Sequence, residues 1–172
     1  DIYDLKEDKG FCILTRIKHI PTPDAIGDWL RRSGERGYEK YLTHYIDYTV
    51  KGYLKGHSKN KRGYILDVDS TLIESDKGDA VMSYKGFRSY HPMLGYLSSS
   101  GNDPICSYVK FRPGNASAQV DILDAIKHTQ ELLKSCKKSL SYFRSDSAAY
   151  QADIINYCEK EGIKYTITAD HD

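Results

Sequence analysis

The sequence predicts an α/β fold in which elements ordered β-β-β-α-β-α-β follow a small helical N-terminal segment. Three observations carry this. Residues 63–75, GYILDVDSTLIES, are an apolar, β-branched run of strand character that ends in acid. Residues 118–139 and 148–161 repeat apolar side chains at helical spacing. Each of these helices is followed by a short strand-like run, 140–145 and 163–168, which is the alternation of βαβ crossovers.

Taken in order, residues 1–20 set Phe11, Ile13, Leu14, Ile17 and Ile20 among charges and read as a short strand or irregular packing. Pro21-Thr22-Pro23-Asp24 is a break. Thr22 or Asp24 caps a helix whose Ala25, Ile26, Trp29 and Leu30 share a face and which stops near Gly34. Trp29 is expected in the core of this unit. A second helix, Tyr38 to Leu54, carries the stripe Tyr41, Leu42, Tyr45, Tyr48 and Tyr53, expected to be core rather than a stacking platform. Lys51 to Arg62 then holds five cations and no acid. This basic linker is either simply solvated or touches phosphates through Lys59, Lys61 and Arg62.

The acidic strand opens the sheet. Residues 73–86 are polar and mobile in appearance. Phe87–Leu97 and Ile105–Phe111 are the next two strands, an antiparallel meander separated by the turn cluster 98–104 and closed by Arg112-Pro113-Gly114-Asn115. In the helix that follows, Lys134, Lys137 and Lys138 complement the C-terminal dipole. The fourth strand ends at Asp146, the second helix stops at Gly162, and the fifth strand is Ile163–Thr168. The organisation is thus a helical, basic segment over 1–62 and a sheet domain over 63–172.

At 40% hydrophobic and 28% charged residues, the 172-residue chain can bury a core and is neither disordered nor fibrous. Its net charge of +1 hides an asymmetry: residues 1–62 hold 13 Lys and Arg against 9 Asp and Glu, the remainder 12 against 15. A basic front and a carboxylate-bearing back suit a nucleic-acid enzyme with a metal site. Cys12, Cys106, Cys136 and Cys158 are too scattered for a zinc signature or a disulfide framework and read as reduced cysteines of a cytosolic protein. No apolar run reaches the length of a membrane helix and there is no signal peptide. Starting at Asp1 without a methionine and ending at Asp172, the chain reads as a fragment of a longer protein.

The chemistry concentrates in Asp67 and Asp69. Two residues apart in a strand, they lie on one face, about 7 Å apart. Carboxylates in an apolar strand need a compensating cation or hydrogen bonds. They either cap a turn with Ser70 and Thr71 or form one corner of a Mg²⁺ site. If the first and fourth strands are neighbours, Asp69 and Asp146 meet at one sheet edge, where α/β sheets gather their ligands. His91 reads as a structural histidine.

The blocks IPTPDAIGDWLRR (20–32), ILDVDSTLIE (65–74), YKGFRSYHPMLGYL (84–97), FRPGN (111–115) and FRSDSAAY (143–150), in this order, resemble the DDE transposases of bacterial insertion sequences. The resemblance spans most of the chain and implies a ribonuclease H-like core. It implies catalytic and metal-binding roles for Asp69 and Asp146, with Asp67 able to share the first. It also implies two Mg²⁺ ions, replaceable by Mn²⁺, that activate the attacking oxygen and stabilise the leaving one. DNA ends and target DNA are the implied partners, with a homodimer on paired ends, no membrane, and a bacterial, nucleoid-associated location in the cytoplasm. Arg144, two residues before Asp146, is a candidate phosphate contact. Arg112 and Asn115 either lie near the site or form a turn. The family's third acid, a glutamate beyond the fifth strand, has no match here: Glu159 and Glu161 precede that strand, and Asp170 and Asp172 read as loop acids.

Two alternatives stand beside this. ILDVDSTLI also resembles the D-x-D-x-T motif of haloacid dehalogenase-like phosphatases, with Asp67 as nucleophile and Asp69 as general acid. An inactive remnant that binds DNA through its basic front is the other.

Overall fold

A computed structural model describes residues 2–56, 63–99 and 101–169. The chain divides into two compact units, Asp1–Leu42 and Thr43–Asp172.

In the first unit, the strand or irregular packing expected over residues 1–20 is replaced by two short helices, α1 (Ile2–Glu7) and α2 (Lys9–Thr15). The local cap decides this. Asp8 accepts a hydrogen bond from the Phe11 amide at 2.8 Å, and Arg16 ends the helix in the left-handed region. Helix α3 (Pro23–Glu35) begins as expected, with the Thr22 hydroxyl accepting from the Ala25 amide and proline in its first turn. Trp29 is not in a core: it is 55% exposed, and no residue of α3 is buried. Its spacing is amphipathic, but spacing alone does not supply a partner for the apolar face.

Helix α4 (Glu39–Gly56) continues from the first unit into the second. Within the second unit its buried residues are Val50 and Leu54. The tyrosine stripe was expected to do this, yet Tyr45 and Tyr48 are 67% and 77% exposed. Aliphatic side chains leave no polar group to satisfy in a core, whereas each tyrosine brings a hydroxyl that needs a partner. Tyr53 is the half-buried exception, and its hydroxyl donates to the Asp103 carbonyl at 3.0 Å.

The sheet has five strands: β1 (Tyr64–Ser70), β5 (Met93–Ser99), β6 (Asn102–Lys110), β7 (Leu140–Ser145) and β8 (Lys164–Ile167). Their order is β6-β5-β1-β7-β8. β5 is antiparallel to both β1 and β6, while β7 runs parallel to β1 and β8 parallel to β7. The expected β-β-β-α-β-α-β order is therefore present, with α5 (Ile122–Ser135) and α6 (Ala152–Glu161) as crossovers. One face of the sheet is the core: Tyr64, Leu66 and Val68 of β1 and Phe143 of β7 pack with Ile126 and Leu133 of α5 and Ile154 of α6. The alternate residues of β1 face outward.

Three further expectations are corrected. Residues 73–86 hold two short strands, β2 (Ile73–Glu74) and β3 (Val81–Met82), which flank β4 (Arg88–Tyr90) in a separate small sheet. The run 87–97 thus splits between two sheets. Side chains fix the small sheet: Arg88 donates to the carbonyls of Gly78 and Ala80, and the Tyr90 hydroxyl donates to Asp79 at 2.6 Å, holding the Asp79 carboxyl below its usual range. β6 includes Pro104, which the sequence assigned to a turn; an edge strand tolerates the missing amide. α5 begins at Ile122 rather than Ala118, and α6 is preceded by a 3₁₀ turn at Ser147–Ala149. Among the described residues, no helix is long and apolar enough to cross a membrane.

Phe143 is fully buried at the centre of this core, and Phe143→Ala is expected to cost about 3–5 kcal/mol, read as a lower urea midpoint at unchanged slope. Burial also pushes the Cys158 thiol up to about 11, so at pH 8 iodoacetamide should label Cys158 in native protein far more slowly than the half-buried Cys136. Equal rates would contradict this packing.

Candidate active site

The site follows from the pairing of β1 with β7. Leu66 lies opposite Phe143 and Asp67 opposite Arg144. Two residues further along each parallel chain come Asp69, still in β1, and Asp146, just past the end of β7. Between them the Ser145 hydroxyl donates to the Val68 carbonyl at 2.8 Å, tying the two strand ends together. The first and fourth strands are neighbours, which is the condition for the two acids to meet, and the two acids stand at the same end of adjacent strands.

Both carboxylates are exposed and locally anchored. Asp69 Oδ1 accepts from the Ser70 amide at 2.7 Å. Asp146 Oδ1 accepts from the Ala148 amide at 3.1 Å and caps the 3₁₀ turn. One oxygen of each is held by backbone, which fixes where the carboxylate points. Asp67, Asp69, Ser70, Thr71, Leu94 and Tyr96 line an open cavity of about 220 Å³.

Asp67 makes an ion pair that its place in the sequence does not point to. Arg144 grips it in a bidentate pair, Nε to Oδ1 at 2.6 Å and Nη2 to Oδ2 at 2.8 Å. This planar fork is the strong geometry for guanidinium and carboxylate. The carboxylate holds the guanidinium pKa above its ordinary value. Both oxygens of Asp67 are thus engaged by one guanidinium, which sets it apart from Asp69. Arg144 remains half-exposed, with its Nη1 end outside that pair.

Of the two readings of Arg112, beside the site or forming a turn, its contacts are those of the turn. It is 4% exposed. Its Nε donates to the His91 carbonyl at 2.8 Å, and its Nη1 donates to the carbonyls of Val120 and Ser117 at 2.8 and 3.1 Å. Asp121 lies 3.7 Å away, and burial lowers the guanidinium pKa. The residue braces the chain between β6 and α5. His91 belongs to the same brace, its Nδ1 2.9 Å from the Ala116 carbonyl, as a structural histidine should be. Asn115 is exposed in this turn. Lys59, Lys61 and Arg62, and the loop acids Asp170 and Asp172, lie outside the described residues.

Sequence reasoning missed Ser145 and Tyr96. A serine ending a strand gives no signal of its own. Tyr96 lies opposite Asp67 on β5, but that register appears only once the sheet is paired.

Among the described residues, no three His, Cys, Asp or Glu side chains gather as a metal cluster. The donor chemistry of Asp69 and Asp146 nonetheless fits a hard divalent cation. Mg²⁺ is commonly held by one or two carboxylates, with water and substrate phosphate completing its shell.

Removing the Arg112 brace should destabilise the whole domain. Arg112→Ala is expected to cost about 1–3 kcal/mol, because it removes three hydrogen bonds and leaves the buried His91 carbonyl short of a partner, while Asp121 keeps Lys110. Thermal melting checks this, and an unchanged midpoint would return Arg112 to the surface.

Among solved structures, the chain is similar to the HTLV-2 integrase catalytic core domain, solved in complex with magnesium, at 16% identity and a TM-score of 0.36, covering 60% of this chain and 57% of that one. It is similar to the Mos1 mariner paired end complex with Mn at 15% identity and a TM-score of 0.37, covering 95% and 56%. For the simian T-cell lymphotropic virus intasome in complex with a PP2A regulatory subunit, the values are 12% and 0.35, covering 60% and 31%. The chain thus spans between about a third and somewhat over half the length of these proteins. No curated protein matches the sequence. The family described as transposase DDE domain group 1 matches residues 14–171, nearly the whole chain, and the chain belongs to that family.

Proposed function

We propose that this chain carries the first two carboxylates of a transposase site for metal-dependent phosphodiester cleavage and strand transfer at DNA ends. The observation that carries the reading is the pair Asp69 and Asp146 at the ends of adjacent parallel strands, tied by Ser145 to the Val68 carbonyl. Family membership supports it. We read the sheet as a ribonuclease H-like core.

In this reading Asp69 and Asp146 hold Mg²⁺, or Mn²⁺ in its stead. When bound, such ions supply Lewis acidity toward a phosphoryl oxygen and lower the pKa of a bound water. The protein's part is orientation. The Ser70 and Ala148 amides fix the two carboxylates, and the Ser145 hydrogen bond keeps the strand ends from splaying. Arg144 offers its Nη1 end to the DNA backbone on the same sheet face, while Asp67 fixes its plane. A third carboxylate from elsewhere in the whole protein, a dimer on paired DNA ends, and a nucleoid location in a bacterial cytoplasm belong to the same proposal. The phosphatase alternative is disfavoured, since its nucleophile would be the carboxylate that Arg144 grips on both oxygens.

Mn²⁺ calorimetry tests the reading. Asp69→Asn and Asp146→Asn should each weaken binding about tenfold or more, while Asp67→Asn leaves it within a factor of two. Wild-type affinity in both of the first two variants would sink the acid pair as a metal site. A loss confined to Asp67→Asn and Asp69→Asn would revive the phosphatase reading.

A further inference from the structure

Helix α4 exposes a surface that the acid pair does not use. From Thr43 onward, its outer side borders a groove of about 790 Å³ lined by Tyr45, Tyr48, Lys51, Gly52, Lys55 and, from the end of α5, Cys136. The groove belongs to the second unit alone. It lies toward the end of the sheet where β7 begins, whereas Asp146 follows the other end. Six extended residues separate those ends by about 20 Å.

Three features of this groove point the same way. Tyr45 and Tyr48 expose most of their rings, which a helix with a satisfied aliphatic face has no structural need to do. Lys51 and Lys55 border the same groove, and among the described residues none of its lining is acidic. The one acid of α4 beyond residue 42, Asp47, is engaged by His128 Nε2 at 2.9 Å. Third, Gly52 sits in the interior of an 18-residue helix with nothing within 4 Å of where its Cβ would be. Neither packing nor a left-handed backbone requires a glycine there, and glycine weakens a helix relative to alanine. A bare backbone between Tyr48 and Lys55 on one helix stripe permits close approach of a ligand.

We propose that this groove binds a nucleic-acid strand with unpaired bases, its phosphates on Lys51 and Lys55 and its bases stacked on Tyr45 and Tyr48. Flat, hydroxyl-tipped rings interleaved with cations are the chemistry that single strands recognise: stacking is tolerant of sequence, and the lysines track the backbone. In the sequence, charge of the same sign follows the groove's helix, since residues 56–62 add three cations and no acid. This site goes beyond the acid-pair reading and does not depend on it.

Fluorescence anisotropy of a labelled 12-nucleotide oligothymidylate against the full 172-residue chain tests this. The titration is run in EDTA, so the fate of the metal site has no bearing on it. Tyr48→Ala should weaken binding about 5- to 150-fold. Lys51→Gln with Lys55→Gln should reduce the salt slope by about 1.4. Gly52→Ala should raise the thermal midpoint and still weaken binding, a combination that misfolding cannot produce. Wild-type affinity in Tyr48→Ala and Gly52→Ala, or no binding by the wild type, would overturn the proposal. So would a concentration-dependent dimer that Tyr48→Ala dissolves while oligonucleotide binding stays intact, which would assign the face to a second copy.

Discussion

The parallel pairing of β1 with β7 is the constraint on which the rest of the domain depends. It makes β1 the central strand, with β5 antiparallel on one side and β7 parallel on the other. It also sets which face of each strand is buried. Leu66 and Phe143 are opposite one another in the core, so Asp67 and Arg144, one residue on, are opposite one another on the outer face. A slip by one residue would bury Asp67 and expose Leu66, which the apolar face forbids. The hydrophobic register therefore fixes the charge register, and the charge register brings Asp69 and Asp146 to one end of the sheet. Gly63 prepares this pairing. At φ +80° and without a Cβ it passes Ser141, where the β1–β7 register shifts by one residue.

The outer face concentrates charge without a network to bury it. Asp67 is neutralised by the Arg144 fork, and Asp69 by nothing stronger than one backbone amide. Two carboxylates with the same spacing preference and the same strand thus have opposite availability. The difference lies in the neighbouring strand: opposite Asp67 is a cation, and beyond it the strand ends. A free carboxylate at a strand end beside a second one is where a cation is worth most, since its charge reverses the local repulsion of a phosphate.

The sequence made the central strand, the crossovers and the fourth strand legible because each rests on local periodicity. Leu140–Ser145 needed only its short run with Leu140, Tyr142 and Phe143 and the break at Asp146. The acid pair was legible on one condition, strand adjacency, which α/β handedness and connectivity favour. Elsewhere the deciding groups lie far apart in sequence. The small sheet is fixed by Arg88 and Tyr90 reaching back to residues 78–80, and residues 73–86 carry too few apolar side chains to reveal it. The tyrosines of α4 and Trp29 misled for another reason. Spacing tells which side chains share a face, but not whether another element covers that face.

Arg112 and Arg144 carry that point to the site itself. Each lies near a strand end, and each meets a carboxylate. Arg112 is enclosed by three backbone carbonyls, that of His91 and two from the turn it supports, and the same enclosure denies it to any ligand. Arg144 touches only Asp67 with its Nε and Nη2, and its outward end stays in solvent beside the acid pair. A guanidinium surrounded by carbonyls is a structural brace; one pinned flat by a single carboxylate is oriented without being consumed. The second arrangement keeps a planar, fixed donor set open to an anion. Under the proposed function, this leaves Arg144 rather than Arg112 as the guanidinium that a phosphate approaching Asp69 and Asp146 would meet.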